Sequence, residues 1–281
     1  MKPPILKTVL PARQGLIILL PSINQPVTMP GISVVIIAKN ESTVIRQTLD
    51  SLKGLTDDIV VCDTGSTDDS IRVVLEAGCR SEKLAWSGFG KTKNEALAFA
   101  RYDWVLFLDA DEAIDGQLKN TLLALPLNEP SIVYKIRFKN FIGDRQIRFG
   151  EWGSECKTKL FAKSFTKWED AEVHEKVITP PGGSEKLVDG FIIHRLMKNL
   201  EEYAGKMNRY AELGAIKYFR RGKSAGFFKL YIYPGFQFIY TYLFRLGFLD
   251  GRLGFVTSFF SAYYVFLKYH RLKELEAEGR R

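Results

Sequence analysis

At 281 residues, 46% of them hydrophobic, and with a net charge of +8, the chain can bury a full core and is excluded from the disordered class. Cys62, Cys79 and Cys156 show no CxxC or zinc-type spacing, which argues against a disulfide framework or a cysteine metal site and fits a reducing compartment. Arg195–Arg281 holds 16 Lys and Arg against 7 Asp and Glu, a net +9 that leaves −1 for the rest, so the basic third points to an acidic partner surface, nucleic acid or anionic lipid.

Residues 1–30 carry six prolines around a short apolar core, Leu16–Leu20, too brief for a membrane span and without a small-residue cleavage site. They read as a loose leader, and Met29 directly before the first regular segment offers a later start. From Ile32 the pattern is regular. "ISVVIIA" is a β-branched run fit for a buried strand, and "NESTVIRQTLDSLKGL" follows with Val44, Ile45, Leu49 and Leu52 at helical spacing, closed by Gly54. "DIVVCD" is a second strand, and "TGSTDDSIRVVLEAG" a turn, a cap and a helix ended by Gly78. A short "KLAW" strand, a helix over "KTKNEALAFA" and the strand "WVLFLD" complete an alternating series, which predicts a parallel sheet with helices on both faces.

After a helix over "DGQLKNTLLALP", residues 131–194 break into strand-like pieces, "IVYKIRFKNF", "QIRFGEWG", "TKLFAK" and "KLVDGFIIH", expected as an antiparallel extension laid over the active edge. A helix over "NLEEYAGKMNRYAELGAIKYFRRG" leads into an aromatic tail. The expected division is a leader at 1–30, a catalytic domain at 31–194 (donor side 31–125, acceptor side 126–194) and a basic helical extension at 195–281.

Strand C-termini are where open α/β sheets bind ligands. "DADEAID" sets Asp109, Asp111, Glu112 and Asp115 just past an apolar run. Two carboxylates one residue apart suit Mg²⁺ or Mn²⁺ carrying phosphates, although an isolated Asp-x-Asp more often caps a helix. Two more strand ends bring Lys39, Asn40 and Glu41, and Asp63, Gly65, Ser66 and Asp68, to the same edge, so a capping account must hold three times. There is no GxxxxGK[ST] loop and no GxGxxG after the first strand, and the position of "DADEAI" after the fourth strand disfavours a haloacid-dehalogenase-type phosphatase.

"SVVIIAKNE", "DIVVCDTGSTDDS", "KNEAL" and "VLFLDADE", in this order, resemble the family 2 glycosyltransferases of the GT-A fold, strongly over residues 31–125. The resemblance implies a Rossmann-like mixed sheet in which Lys39, Asn40, Glu41, Asp63 and Lys93 border the nucleoside, Asp109 flanks the ribose, and Asp111 binds a divalent cation on the sugar diphosphate. An inverting transfer needs a carboxylate to take the acceptor hydroxyl's proton, and "WEDAEVHEKV" offers Glu169, Asp170, Glu172 and Glu175. "VHEKV" is similar to the His-Glu motif of the lipopolysaccharide core subgroup, related to heptose β-1,4-glucosyltransferases, which implies Glu175 as the base; Asp170 is the second candidate. His194 is either a third metal ligand or diphosphate contact, or a hydrogen-bonded structural histidine. Glu112 and Asp115 are expected to turn the chain and cap the next helix. Trp152 and Trp168 are core residues or sugar-stacking platforms.

The tail segments "FFKLYIYPGFQFIYTYLF" and "LGFVTSFFSAYYVFL" contain charge-free runs shorter than the roughly 20 residues that span a bilayer. With the flanking Lys and Arg they fit helices lying in an anionic membrane interface; the competing expectation is a buried helical hairpin. No RNP-like or OB-like pattern supports nucleic acid. Together with the tail, the resemblance implies an inverting, metal-dependent hexosyltransferase, peripheral on the inner face of the cytoplasmic membrane. It would use UDP-glucose or another nucleotide sugar and a lipid-linked or lipopolysaccharide glycan acceptor. Transfer to polyprenyl phosphate or another envelope polysaccharide, and a catalytically silent glycan-binding protein, are the alternatives.

Overall fold

A computed structural model describes residues 31–170, 176–179, 181–197 and 199–279; the expected leader lies outside the described residues. The parallel half is built on β1 (Ile32–Ala38), flanked by β2 (Asp58–Asp63) and β4 (Trp104–Asp109), with β3 (Arg80–Lys83) outside β2. Its strands alternate between two apolar layers. Ile32, Val34, Ile36, Leu106 and Leu108 pack against α1 (Ile45–Ser51) and α2 (Ser70–Glu76), whereas Val35, Val60, Cys62, Val105 and Phe107 face Ala96 and Leu97 at the end of α3 (Phe89–Ala96). Both faces are covered, which is why these runs are nearly all apolar.

The third strand is Arg80–Lys83 rather than "KLAW". As an edge strand with one side to water it tolerates charge, so apolar content was a poor guide to its position. Trp86 lies beyond it, half exposed, edge-on to Phe89 at 4.8 Å.

The acceptor-side strands do not form a layer over the active edge. They continue the same sheet. β8 (Cys156–Ala162) runs antiparallel to β4, β6 (Ile132–Ile142) antiparallel to β8, β9 (Ser184–Met197) parallel to β6, and β5 (Glu112–Ile114) antiparallel to β9; short β7 (Arg145–Ile147) pairs with β6. β4 and β5 are almost adjacent in sequence, yet the hydrogen-bonded path between them passes through β8, β6 and β9. The sheet therefore curls until β9 returns beside the end of β4. Register shifts within β6–β9 and β6–β8 supply local bends. α4 (Gly116–Ala124) is capped by Asp115, which accepts from the Leu118 N–H at 2.8 Å. β9 crosses that helix start at Gly190, where φ is 98° and a Cβ would collide with the Leu118 backbone.

The C-terminal part begins with α5 (Leu200–Arg220), capped by Asn199 on the Glu202 N–H at 2.9 Å. A π-helical turn at Phe228–Ile232, α6 (Tyr233–Ile239), another π-helical turn at Tyr240–Phe244 and a 3-10 turn at Gly247–Asp250 lead to α7 (Arg252–Glu278). Tyr203, Met207, Phe260 and Tyr264 join Ile142, Ile147 and Leu196 in one apolar cluster, so this extension packs on the rim of the sheet. Close approach of α7 to the preceding turn needs Gly254, whose Cβ would overlap the Gly247 carbonyl. Among the described residues no helix is long and apolar enough to cross a membrane.

Candidate active site

The register of the parallel strands sets Ala38 opposite Asp63 and Ile37 opposite Asp109, so all three C-termini share one edge. Asp63 is buried and accepts the Ser66 N–H at 2.9 Å; Thr64 donates its N–H to the Ala38 carbonyl at 3.0 Å. Asn40, left-handed at φ 59°, donates its N–H to Ser66 Oγ at 2.9 Å and accepts the Thr67 N–H at 2.8 Å on Oδ1. Glu41 donates its N–H to Ser70 Oγ at 2.7 Å. The Ser70 hydroxyl, ahead of Ser42, holds the Asp68 carboxyl well below the usual range. Asn40 thus laces two loops into a wall beside Asp63, while Lys39 is exposed on the same loop.

Asp109 ends β4 with its side chain 41% exposed, 3.7 Å from Lys93 Nζ and 3.5 Å from Lys159 Nζ. Burial alone would raise its carboxyl, but Lys159, Lys93 and Lys157 hold it well below the usual range. Lys159, from β8, is itself buried and lies 2.5 Å from Glu112 Oε2. Burial works against its charge, yet Asp109 and Glu112 raise its pKa. Glu112 does not cap a helix: it is fully buried in β5 and turns the chain by accepting the Asp109 N–H at 2.9 Å. Burial raises its pKa despite Lys159.

Asp111 projects beside β9, with Oδ2 3.4 Å from His194 Nε2, the register pairing Glu112 with His194. Behind the histidine, Asn140 donates Nδ2 to the Trp152 carbonyl at 2.8 Å and to Glu155 Oε2 at 2.7 Å. That orientation turns Asn140 Oδ1 to His194 Nδ1 at 2.9 Å, so Nδ1 carries the donated proton. In neutral His194 the lone pair of Nε2 then faces the Asp111 carboxylate, and both favour a positive charge between them. Burial disfavours charging His194, but Asp111, Glu112 and Glu155 outweigh it and raise its pKa. Burial likewise opposes the Glu155 carboxylate, which Lys157 and Asn140 nevertheless hold below its ordinary range.

A divalent cation fits this pair. Neighbouring ligands on an octahedral ion with oxygen at about 2.1 Å lie about 3 Å apart, close to the observed separation. A metal-bound histidine commonly donates its other ring N–H to a carbonyl, as His194 does to Asn140. Among the described residues no three His, Cys, Asp or Glu side chains are placed to hold one metal ion, so further positions on an ion would fall to phosphate oxygens and water.

On the other flank, Asn94 of α3 holds the Trp168 backbone twice, donating to its carbonyl at 3.0 Å and accepting its N–H at 2.8 Å. Trp168 is buried against Phe107 and Phe161 at 5.2 and 6.0 Å, and Lys93 Nζ sits 4.4 Å above its ring. It is a core residue and not a sugar platform. Trp152 is half-buried and donates Nε1 to the Tyr203 hydroxyl at 3.2 Å. Asp170 is exposed at the lip of a shallow groove of about 420 Å³ that Asn94, Lys167 and Trp168 also line. Glu175, the first choice for the base, lies outside the described residues.

Asp63, Lys93, Asp109, Asp111 and His194 therefore stand along one edge. Sequence reasoning missed Lys159, Asn140 and Glu155; the available signal was an acid cluster too dense to remain without a buried cation.

Residues 33–180 match the family model described as Glycosyl transferase family 2. Over 263 residues, 90% of each chain, the protein is 28% identical to an uncharacterized glycosyltransferase of Rickettsia typhi (strain ATCC VR-144 / Wilmington). It is 27% identical over 248 residues, 84% of this chain and 89% of the relative, to the lipopolysaccharide core biosynthesis glycosyltransferase LpsC of Rhizobium meliloti (strain 1021). Among solved structures, glucosyl-3-phosphoglycerate synthase of Mycobacterium tuberculosis is 29% identical, covering 40% of this chain and 44% of its own at a TM-score of 0.32, an overlap too small to bear on the site.

Proposed function

The chain belongs to glycosyl transferase family 2, and from that premise we propose an inverting, divalent-cation-dependent transfer of a hexose from a nucleotide sugar, UDP-glucose foremost, to a membrane-anchored glycan of the lipopolysaccharide core class. That it is a glycosyltransferase of GT-A fold follows from the family match and the mixed sheet; donor, cation and acceptor are our reading. The likeness to LpsC over 84% of the chain supports the acceptor class. Such an acceptor goes with peripheral attachment at the inner face of the cytoplasmic membrane.

One observation carries the reading above the others: Asp111 and His194 meet at 3.4 Å on the edge that also bears Asp63 and Asp109. Mg²⁺ or Mn²⁺ held by Asp111 and His194 would offset the charge that the departing nucleoside diphosphate gains. Asp63, set in the wall that Asn40 laces together, contributes a carboxylate to the nucleoside. Asp109, kept ionised by Lys159 and Lys93, accepts hydrogen bonds from the donor's ribose. Glu175, with Asp170 second, takes the proton of the acceptor hydroxyl as it attacks the face opposite the leaving group, which inverts the anomeric centre.

The test is transfer and donor hydrolysis with a panel of nucleotide sugars and Mn²⁺, alongside thermal shift, since a ligand that binds only the native state raises its apparent stability. Asp111→Ala and Glu175→Gln are each expected to lower turnover about 100-fold or more. Full turnover by Asp111→Ala sinks the metal assignment, and full turnover by Glu175→Gln moves the base to Asp170.

A further inference from the structure

Beyond the transfer reaction, we propose that the face formed by residues 227–249 and the outer side of α7 is a docking surface for an anionic lipid bilayer, on which the protein lies without crossing it. The helical turns between α5 and α7 leave large apolar side chains in water. Phe227 and Phe244 are 71% and 73% exposed, and Phe228, Ile232, Phe236 and Leu243 are each about half exposed or more. Phe255, Phe259 and Phe266 extend the face along α7. The two parts are continuous: Phe238 meets Phe255 at 5.5 Å, and His270 lies between Tyr231 at 5.9 Å and Phe266 at 4.2 Å. Scattered exposed apolar residues are ordinary, but a contiguous patch of this kind marks an interaction surface.

Charge selects the occupant. Residues 227–249 hold Lys229 and Arg245 and no Asp or Glu, and Lys217, Arg220, Arg221 and Lys223 lead into them. The acids of α7, Glu274, Glu276 and Glu278, are confined to its last turns and pair there with Arg271 and Lys273. A second copy on this face would set like charge against like charge. An anionic bilayer complements both features, taking aromatic and aliphatic side chains at the acyl boundary and Lys and Arg at the headgroups. Since no described helix is long and apolar enough to span, the face lies in the interface.

The same segment is fastened to the site. Asp250 accepts the N–H groups of Arg148 and Phe149 at 2.9 Å each, Gly150 donates its N–H to the Arg245 carbonyl at 2.8 Å, and the Arg245 guanidinium donates to Ser154 at 2.6 Å. Within that loop the Trp152 carbonyl and Glu155 hold Asn140, which holds His194. A protein seated through this face would present the Asp111–His194 end of its edge in a fixed attitude to the lipid surface.

The full-length protein is tested by co-sedimentation with phosphatidylglycerol–phosphatidylcholine vesicles and with phosphatidylcholine vesicles, without nucleotide sugar. Binding to the anionic vesicles is expected, weakened by salt and about tenfold weaker on the neutral ones. Phe227→Ser/Phe244→Ser, both at exposed positions, should lower partitioning about tenfold or more while the melting temperature stays unchanged. The proposal is overturned if the wild type stays in the supernatant with anionic vesicles or the double variant partitions equally well. It is also overturned if the wild type forms a concentration-dependent dimer in solution that the double variant dissolves. Because no donor is present, failure of the transfer reading leaves this result untouched.

Discussion

At the acidic edge, Lys159 meets two carboxylates from inside the protein. It is 2% exposed and faces Glu112, which has no exposed surface, at 2.5 Å and Asp109 at 3.5 Å. Removing one member of a buried ion pair strands the other, at a cost of about 3–5 kcal/mol, whereas replacing both with apolar groups is often neutral. Lys159→Met is therefore expected to lose stability of that order in urea unfolding, and Lys159→Met/Glu112→Leu to recover most of it. A single variant as stable as the wild type would show that the pair carries no net burden. The residue was hidden in the sequence for a physical reason. In "CKTKLFA", Lys157 and Lys159 alternate as two solvent-facing lysines would, and only the pairing of β8 beside β4 turns Lys159 onto the acid cluster. Asp63, Asp109 and Asp111 were legible because each ends or follows an apolar run, and such runs declare their own strand ends.

At the scale of elements, the α5–α7 contact holds an unusual cation. Lys268 of α7 is buried among Tyr218, Tyr264 and Tyr269, its Nζ 4.9, 5.0 and 4.9 Å from their ring centroids. Burial pushes its pKa down from 10.5 to about 8, only partly offset by Glu151, and Lys223 adds to the depression. The unfolded chain then binds this proton more tightly than the folded one between those two values, so this group adds stability as pH rises through that window. Lys268→Met should exceed the wild type in stability most at pH 7, with the gap closing towards pH 10, as read by urea midpoints. A gap that stays constant with pH would contradict the assignment. The helices and most strands were readable from periodicity, but their partners were not. β6, β8 and β9 looked like a separate antiparallel layer because alternation reports a strand and not its neighbour, and the parallel β6–β9 pair joins segments that no local signal links.

For the whole molecule, the extension and the sheet share one apolar cluster, Ile142, Ile147 and Leu196 with Tyr203, Met207 and Phe260, and one clamped loop, 148–154. Deleting residues 225–281 is accordingly expected to lower the melting temperature by about 5 °C or more and to weaken Mn²⁺ binding, measured by calorimetry. A truncated chain with unchanged melting and affinity would make the extension a mere appendage. The curl of the sheet has a further consequence, in time. Asp111 and His194 stand 83 residues apart in the chain, and they meet only when β9 has paired with both β6 and β5. Contacts of such sequence separation form late, because the intervening chain must be ordered before they repay its entropy. A nascent chain thus completes the loops that follow β1 and β2 well before Asp111 and His194 meet, and the affinity of the proposed cation would gauge whether β9 has taken its place beside β5.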